Sequence, residues 1–282
     1  RWLSEGISVF EEREVRAGRE RLPQRTEDDY YEGLLAAQAH CNRHGITGVL
    51  DAKVEDRHCR VYARLEDAGK LTVRVAATAM VHAEETIEAV LARLRGYRAK
   101  HASEMFKVHS AKFFLDGVLE NRTAVMIEPY SDALGGNAPL MFEPSQICDW
   151  FTALDAERFQ IHVHVIGDGA VRAAMDGLEA ARTANGNWPS LHQLAHVQVI
   201  DPADLPRFRQ LGAMANLQAL WARNEPDIPD FTNAMIGGVR GPFTYAFRSM
   251  IDAGAPFCLS SDWPVSSPNP FEIMETAMTR QL

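Results

Sequence analysis

The amino-acid sequence predicts an α/β fold whose parallel strands form a (β/α)8 barrel of the TIM type. About seven short β-rich runs alternate with helical patterns along the 282 residues, an order typical of a parallel sheet. Runs such as residues 75–81 are apolar on both faces, as expected of strands covered on both sides. Polar side chains end four different runs and no GxGxxG string opens a first helix, so a barrel is favoured over an open dinucleotide-binding sheet.

The strands are predicted where β-branched and small apolar residues cluster, and the helices where apolar residues recur at helical spacing. The predicted strands cover residues 48–52, 71–81, 108–115, 160–166, 194–200, 214–217 and 256–259. The predicted helices cover residues 27–40, 57–68, 84–100, 146–156, 170–184, 203–211 and 247–253, with Thr26 as the first N-cap. Residues 1–27 are predicted as loop and short helix, and residues 225–241 as irregular. The stretch 116–144 lacks periodicity, and a loop of that length is usually functional.

Composition describes a globular protein and disfavours several classes of partner. The hydrophobic fraction is 46% and the formal net charge is −9 without a stripe of Lys and Arg, which disfavours nucleic acid and anionic membranes. No apolar stretch approaches the ~20 residues that span a bilayer. The four cysteines are far apart without a CxxC string, which is typical of reduced thiols and predicts a cytoplasmic protein. We expect one domain over residues 1–282, and the start at Arg1 rather than Met indicates a fragment of a longer chain.

Four ligand-capable side chains lie at the C-terminal ends of predicted strands. They are Lys112, His164, His196 and Asp262. In a (β/α)8 barrel these strand ends converge on one face, and that face carries the chemistry. Carboxylate and imidazole groups, together with a lysine that can react with carbon dioxide to give an anionic carbamate, match the ligands of divalent metals. The sequence therefore predicts a metal-dependent hydrolase, whereas the lack of a GxSxG string argues against a serine hydrolase.

Each of these residues also has an interpretation without a metal. A lysine in an apolar strand can form a Schiff base with a carbonyl substrate, or can extend its amine to solvent. His162 and His164 face the same side of a strand and suit zinc chelation, but one of them can be a hydrogen-bonded core histidine. We take His164 as the ligand because it lies nearer the end of the strand. Asp168 either orients a ligand or caps the following helix, and His196 and Asp262 taken singly can be structural.

At these positions the chain resembles the amidohydrolase superfamily, and within it the amidohydrolase-3 branch, which includes YtcJ-like proteins and N-substituted formamide deformylases. The resemblance covers nearly the whole chain, and the order of the matching strings is specific. These strings are Gly45-Ile-Thr-Gly-Val-Leu-Asp-Ala, Lys112-Phe-Phe-Leu-Asp-Gly-Val, Arg122-Thr-Ala, Glu128-Pro-Tyr, His164-Val-Ile-Gly-Asp-Gly-Ala-Val, Ala195-His-Val-Gln and Ser260-Ser-Asp-Trp-Pro-Val.

The resemblance implies a centre of one or two divalent metal ions, with zinc as the expected metal. Lys112 in carboxylated form would bridge the ions from strand 4, and His164 and His196 would bind from strands 5 and 6. Asp262 on strand 8 would be both ligand and general base, and His196 is the second residue expected to be catalytic. The implied reaction is hydrolysis of a non-peptide C–N bond, in an amide, formamide or cyclic amide, by water that the metal activates.

Two features of the family have no counterpart in this sequence. No His-x-His pair lies upstream of Lys112, where the first barrel strand would carry it, and neither half of the terminal β-sandwich is recognisable. We therefore expect an incomplete barrel that covers strands 2–8. Two other functions stay open, namely a non-catalytic or regulatory protein on a degenerate barrel, and a Schiff-base lyase that uses Lys112.

For partners and substrate, the sequence predicts only a class of ligand, an assembly and three candidate residues. The expected substrate is a small molecule, and the expected assembly is a homodimer. Arg122, Tyr130 and Trp221 lie in irregular segments after strand ends, where residues that bind ligands are concentrated. They are the candidates for contact with the substrate.

Overall fold

Strands and helices alternate along the part of the chain that the structure describes. The computed structural model describes residues 25–224 and 228–281, so most of the stretch 1–27 lies outside the described residues. The described residues divide into two units, residues 25–112 and residues 113–281, and the division falls within one strand.

In the unit of residues 25–112, helices alternate with strands that pair in parallel. Its elements in chain order are α1 (Glu27–Arg43), β1 (Gly48–Val54), α2 (Asp56–Asp67), β2 (Arg74–Met80), α3 (Ile87–Lys100) and β3 (Phe106–Phe114). β1 pairs with β2, and β2 pairs with β3. The predicted N-cap is confirmed, because the Thr26 hydroxyl accepts from the Asp29 amide while the Asp29 carboxylate accepts from the Thr26 amide.

The unit of residues 113–281 contains four further strands, which also pair in parallel. Its elements are α4 (Pro144–Ala156), β4 (Gln160–Val165), α5 (Asp168–Asn185), β5 (Gln193–His196), α6 (Leu205–Leu211), β6 (Met214–Leu217), α7 (Ile228–Ile236), α8 (Phe247–Asp252), β7 (Phe257–Leu259) and α9 (Pro270–Thr279). β4 pairs with β5, β5 with β6, and β6 with β7. His164 lies opposite Ala195, and Val165 lies opposite His196. The carboxyl ends of β4 and β5 therefore meet at the same level.

The structure corrects the sequence prediction at three elements. β5 ends at His196 rather than at residue 200, because φ is 79° at His196 and 47° at Val197 and this left-handed backbone takes the chain out of the sheet. α7 lies within the stretch 225–241, for which the sequence predicts no element, and its Met235 and Ile236 are buried in the core. The sequence also does not predict α9. The stretch 116–143 is irregular, as predicted.

Part of the irregular segment after β3 is buried in the core. Its apolar side chains share a buried cluster with residues that follow β4 and β5 and with α7. The cluster comprises Leu119, Ala124, Met126, Tyr130, Ile166, Val199, Met235 and Ile236, with Trp221 packed against it. Buried backbone must find hydrogen-bond partners, so a segment packed in this way takes one defined path. That path forms a fixed wall beside the carboxyl end of β4.

Four predictions concern the whole chain, namely a lack of membrane spans, a single domain, a homodimer and a cytoplasmic location. None of the helices in the described part of the chain combines the length and the apolar character needed to cross a bilayer. A single domain, a homodimer and a cytoplasmic location stay predictions.

Candidate functional site

The carboxyl ends of β4 and β5 bring two predicted metal ligands together. His164 is the penultimate residue of β4, and His196 is the last residue of β5. Their ring centroids are 4.5 Å apart in an edge-to-face arrangement. Both residues are buried, with 7% and 6% of their surfaces exposed. Two of the four predicted ligands therefore lie side by side.

The ring of His164 is held by a backbone carbonyl. Its Nε2 lies 2.9 Å from the carbonyl oxygen of Gly117. A carbonyl oxygen only accepts hydrogen bonds, so Nε2 carries a proton and donates it. In the neutral ring Nδ1 then carries a lone pair, which is the form of imidazole that binds a metal ion. A carboxylate oxygen of Asp116 lies 3.8 Å from the same Nε2.

Asp116 ties the irregular segment to the end of β4. Its buried carboxylate accepts from the backbone amides of Ile166 at 2.9 Å, Gly167 at 2.8 Å and Val125 at 3.0 Å. Burial raises the pKa of this carboxyl to about 7, although the three N–H groups oppose the rise. Sequence reasoning did not single out Asp116. The feature of the sequence that could have indicated it is its position, because Asp116 directly follows the apolar residues after Lys112.

Two glycines allow the backbone to close around this carboxylate. A Cβ at Gly167 would lie 2.0 Å from the carbonyl oxygen of Val125, and a Cβ at Gly117 would lie 2.1 Å from the Thr123 hydroxyl oxygen. Neither distance is compatible with a side chain at these positions unless the neighbour moves. The glycines are therefore needed for close approach of two chain segments, which is one of the established uses of this residue.

The ring of His196 is held by a side-chain amide and by an aromatic ring. Its Nδ1 lies 2.8 Å from Oε1 of Gln218, and the indole of Trp221 stacks on it at 4.7 Å between centroids and 8° between planes. The amide oxygen only accepts hydrogen bonds, so this contact is a hydrogen bond when Nδ1 carries the proton. The positive φ of His196 is uncommon outside glycine, and such backbone is concentrated at functional sites. The sequence indicates Trp221 as a candidate substrate contact, which stays a prediction, and it does not single out Gln218.

The other two predicted ligands, Lys112 and Asp262, lie on β3 and after β7, respectively. Lys112 lies in β3 opposite Met80 and is buried. It belongs to the unit of residues 25–112, whereas both histidines belong to the other unit. Asp262 follows β7 with a φ of 51°, and its carbonyl oxygen accepts from the Val265 amide at 2.8 Å. The roles of Lys112 and Asp262 as ligands stay predictions.

Arg122 and Tyr130, the other predicted substrate contacts, lie against each other. The guanidinium of Arg122 is 4.8 Å from the centroid of the Tyr130 ring and forms an ion pair with Asp132. The Tyr130 hydroxyl donates to the carbonyl of Ala124 at 3.0 Å, and burial raises the pKa of this phenol above its ordinary value. Both side chains thus contribute to the packing of the irregular segment, and contact with a substrate stays a prediction.

His162 and Asp168 lie on either side of His164 along the chain. His162 is buried in β4, two residues before His164. Asp168 begins α5 one position after the N-cap residue Gly167, and its carboxylate accepts from the amide of Ile127 at 2.9 Å. Asp168 therefore fixes α5 to the irregular segment.

The chemistry of the histidine pair suits the binding of a divalent metal ion. Imidazoles that bind zinc usually present one nitrogen to the ion and donate from the other to a carbonyl or carboxylate oxygen. His164 and His196 both have such a carbonyl-type partner. Within residues 25–224 and 228–281, no group of three or more His, Cys, Asp or Glu side chains is placed to hold an ion. The described residues thus provide two adjacent buried imidazoles, and not a complete ligand set.

The fold and the sequence of this chain both match known proteins. The crystal structure of an uncharacterized metal-dependent hydrolase from Pyrococcus furiosus matches with a TM-score of 0.78, over 99% of this chain and 57% of that one, at 20% sequence identity. This likeness confirms the predicted fold class, an incomplete (β/α)8 barrel of the TIM type. The chain belongs to the amidohydrolase family, whose sequence profile matches residues 9–282. The predicted resemblance to the amidohydrolase-3 branch is confirmed.

Two curated relatives illustrate the breadth of the family. Protein LONG AFTER FAR-RED 3 from Arabidopsis thaliana is 26% identical over 264 residues, which cover 90% of this chain and 44% of that protein. N-substituted formamide deformylase from Arthrobacter pascens is 24% identical over 247 residues, which cover 84% of this chain and 43% of that enzyme. The chain therefore spans less than half the length of either relative.

Proposed function

We propose that this chain forms part of a metal-dependent hydrolase that cleaves a non-peptide C–N bond in an amide, formamide or cyclic amide. The observation that carries the proposal is the pair His164 and His196. These rings are adjacent, buried and oriented by carbonyl-type oxygens at the carboxyl ends of neighbouring strands. The formamide deformylase among the relatives supports the choice of bond.

Zinc is the metal that this pair suits best. Zinc is readily bound by neutral imidazole nitrogens, whereas magnesium and calcium prefer oxygen ligands. When bound, the ion would supply Lewis acidity, which polarises a carbonyl group and lowers the pKa of water. His164 and His196 would hold it through Nδ1 and Nε2, respectively. The family resemblance adds Lys112, in carboxylated form, and Asp262 as proposed ligands.

Asp262 is the proposed general base and acid. A carboxylate that accepts a proton from the attacking water can return that proton to the leaving nitrogen, which both steps of amide hydrolysis require. Its left-handed backbone, with a φ of 51°, supports a functional role because such strain is retained mainly where function requires it. Trp221, stacked on His196, is the best placed of the proposed substrate contacts.

Metal content in matched variants tests the proposal. The full-length protein would be purified without chelator, and metal per chain measured by plasma mass spectrometry, for the wild type and for His164→Asn and His196→Asn. We expect about one zinc ion per chain or more in the wild type and a loss of at least tenfold in zinc affinity in each variant. His101→Asn is the control, because His101 is equally buried, at 6% exposed, but lies on the other unit.

Other outcomes would favour the rival functions. A wild-type protein without metal and without amidase activity would overturn the hydrolase and favour a non-catalytic or regulatory barrel. The incomplete ligand set among the described residues is the observation on the side of that rival. Irreversible trapping of a carbonyl substrate on Lys112 by borohydride would instead favour the Schiff-base lyase, because a metal ligand gives no reducible imine.

A further inference from the structure

Four side-chain amides form a continuous chain of hydrogen bonds that ends at His196. This amide chain consists of Gln160, Gln193, Asn216 and Gln218. Gln193 Nε2 donates to Gln160 Oε1 at 3.2 Å, and Asn216 Nδ2 donates to Gln193 Oε1 at 2.8 Å. Gln218 Nε2 donates to Asn216 Oδ1 at 3.1 Å. The last amide oxygen, Gln218 Oε1, lies 2.8 Å from His196 Nδ1.

The direction of the amide chain is set at its far end by backbone carbonyls. Gln160 Nε2 donates to the carbonyl oxygens of Ser190 at 3.3 Å and Leu191 at 2.7 Å. Carbonyl oxygens cannot donate, so the NH2 group of Gln160 must face them and its oxygen must face Gln193. The same logic passes along each amide in turn. At the end of the chain, an oxygen rather than an NH2 group is presented to His196.

A second anchor fixes Gln218 independently. Its Nε2 also lies 2.6 Å from the Ser260 hydroxyl and 3.3 Å from the backbone carbonyl oxygen of Asn216, so its two N–H groups serve three acceptors and one of them is shared. The Ser260 hydroxyl in turn donates to Asn216 Oδ1 at 2.5 Å. Turning the Gln218 amide over would place its oxygen against the backbone carbonyl oxygen of Asn216, which cannot donate, and its NH2 group against His196. Both anchors therefore demand the same orientation.

Burial makes this arrangement expensive unless it is complete. Gln193, Asn216 and Gln218 are all buried. A buried amide without hydrogen-bond partners destabilises the folded protein, whereas an apolar side chain at the same position does not. Three buried amides in place of apolar residues are thus a specific feature of this end of the sheet. The feature that they determine is the position of one proton.

We propose that the amide chain is a positioning device that holds His196 as its Nδ1–H tautomer, with Gln218 as the positioning residue. In this tautomer Nε2 is the nitrogen through which a metal ion would bind. The identification of that ligand as zinc rests on the proposed function, whereas the tautomer does not. Removing the Gln218 acceptor releases the ring to exchange tautomers and weakens the binding of any ion that Nε2 holds.

The tautomer is measurable without a metal or a substrate. Long-range ¹H–¹⁵N correlation spectra of the metal-free full-length protein, recorded about two pH units above the ordinary histidine pKa of about 6.5, assign the protonated nitrogen of each ring. We expect the Nδ1–H form of His196 to exceed the Nε2–H form about tenfold in the wild type. In Gln218→Met this ratio should fall about tenfold, because the acceptor is gone. In Gln218→Glu an oxygen still faces Nδ1, so the Nδ1–H form should persist.

Gln198→Met is the matched control for this series. Gln198 is as buried as Gln218, with each residue 3% exposed, and lies two residues from His196 but outside the amide chain. Its replacement should leave the tautomer of His196 unchanged. A wild-type His196 that is mainly Nε2–H, or a ratio that Gln218→Met does not move, would overturn the proposal. The wild-type spectrum alone decides the first of these, even if Gln218→Met folds poorly.

Zinc affinity, measured by competition with a chromophoric chelator, separates this proposal from the proposed function. Loss of an outer partner of a zinc-bound histidine typically costs 10- to 100-fold in affinity, about the loss that we expect for Gln218→Met. A wild-type protein that shows the expected tautomer but binds no zinc would overturn the zinc site and leave the positioning role of Gln218 intact. Unchanged zinc affinity in Gln218→Met with a shifted tautomer would show that zinc does not bind through Nε2.

Discussion

Opposite ends of β4 and β5 carry buried histidines with different partners. His192 directly precedes β5, and its Nδ1 accepts from the amide of Ile161 at 3.0 Å while its Nε2 donates to Asp155 at 2.8 Å. At the other end, His164 and His196 each have a neutral carbonyl-type oxygen as partner. Burial does not distinguish these histidines, but their partners do. Both nitrogens of His192 are bonded within the fold, which commits this ring to structure. His164 and His196 are each held at one nitrogen by a carbonyl-type oxygen, an arrangement typical of imidazoles that bind metal ions.

The two ends also depend on different physical terms. Asp155 collects three donors, because Trp188 Nε1 at 2.5 Å and Asn185 Nδ2 at 3.0 Å join His192. The His164 end depends on close backbone approach at Gly167. In barrels of this class the carboxyl ends of strands carry chemistry and the amino ends carry stability. The comparison therefore predicts sensitivity to shape at one end and sensitivity to charge at the other.

The largest expected effect is that of Gly167→Ala. The new Cβ would meet the Val125 carbonyl oxygen at 2.0 Å, and backbone atoms cannot turn aside as a flexible side chain can. Gly167 also donates to Asp116 at 2.8 Å, so a shift of this backbone disturbs the wall beside His164. We expect a loss of about 4 kcal/mol in the free energy of unfolding, measured by urea denaturation.

Gly96→Ala is the control for that prediction. Gly96 lies inside α3, and a Cβ there would meet nothing within 4 Å. Alanine in a helix interior is more stable than glycine by about 0.5–1 kcal/mol, so this variant should gain stability. Equal and small effects of the two substitutions would contradict the assignment of a close backbone contact at Gly167.

A smaller, pH-dependent effect is expected at the His192 end. Burial raises the pKa of Asp155, but the donors His192, Trp188 and Asn185 lower it, and the net change is downward. A carboxyl with a lowered pKa stabilises the fold fully above its unfolded pKa of about 3.9, and this contribution is lost as pH falls through the folded value. Asp155→Asn should therefore cost about 2 kcal/mol at pH near 7 and clearly less in strong acid. Urea denaturation at both pH values measures this, and a penalty independent of pH would argue against it.

The sequence predicted the strands and the two histidines at their carboxyl ends, but not the residues that hold those histidines or the His192 site at the opposite end. Strand order, the barrel class and the positions of His164 and His196 follow from local apolar runs and from the residue types at their ends. The left-handed backbone at Val197 could not be predicted, because a β-branched residue disfavours that conformation and only tertiary contacts impose it. Gln218 could not be predicted as a partner of His196 either, because 22 residues separate them and only the pairing of β5 with β6 brings them together.

The smallest expected effect compares two tryptophans, one at each end. Trp188 donates its indole N–H to Asp155, whereas Nε1 of Trp221 is buried without a hydrogen-bond partner among the described residues. An unsatisfied buried donor costs about 1–3 kcal/mol, so Trp221→Phe, which can keep the stacking on His196, should leave stability unchanged or raise it by up to about 1 kcal/mol. Trp188→Phe should lose about 1–2 kcal/mol in the same urea denaturation. Equal losses would mean that the Trp221 indole N–H is satisfied in solution. A stable Trp221→Phe protein that binds zinc but hydrolyses amides poorly would place that N–H against the substrate, because residues 25–224 and 228–281 give it no acceptor.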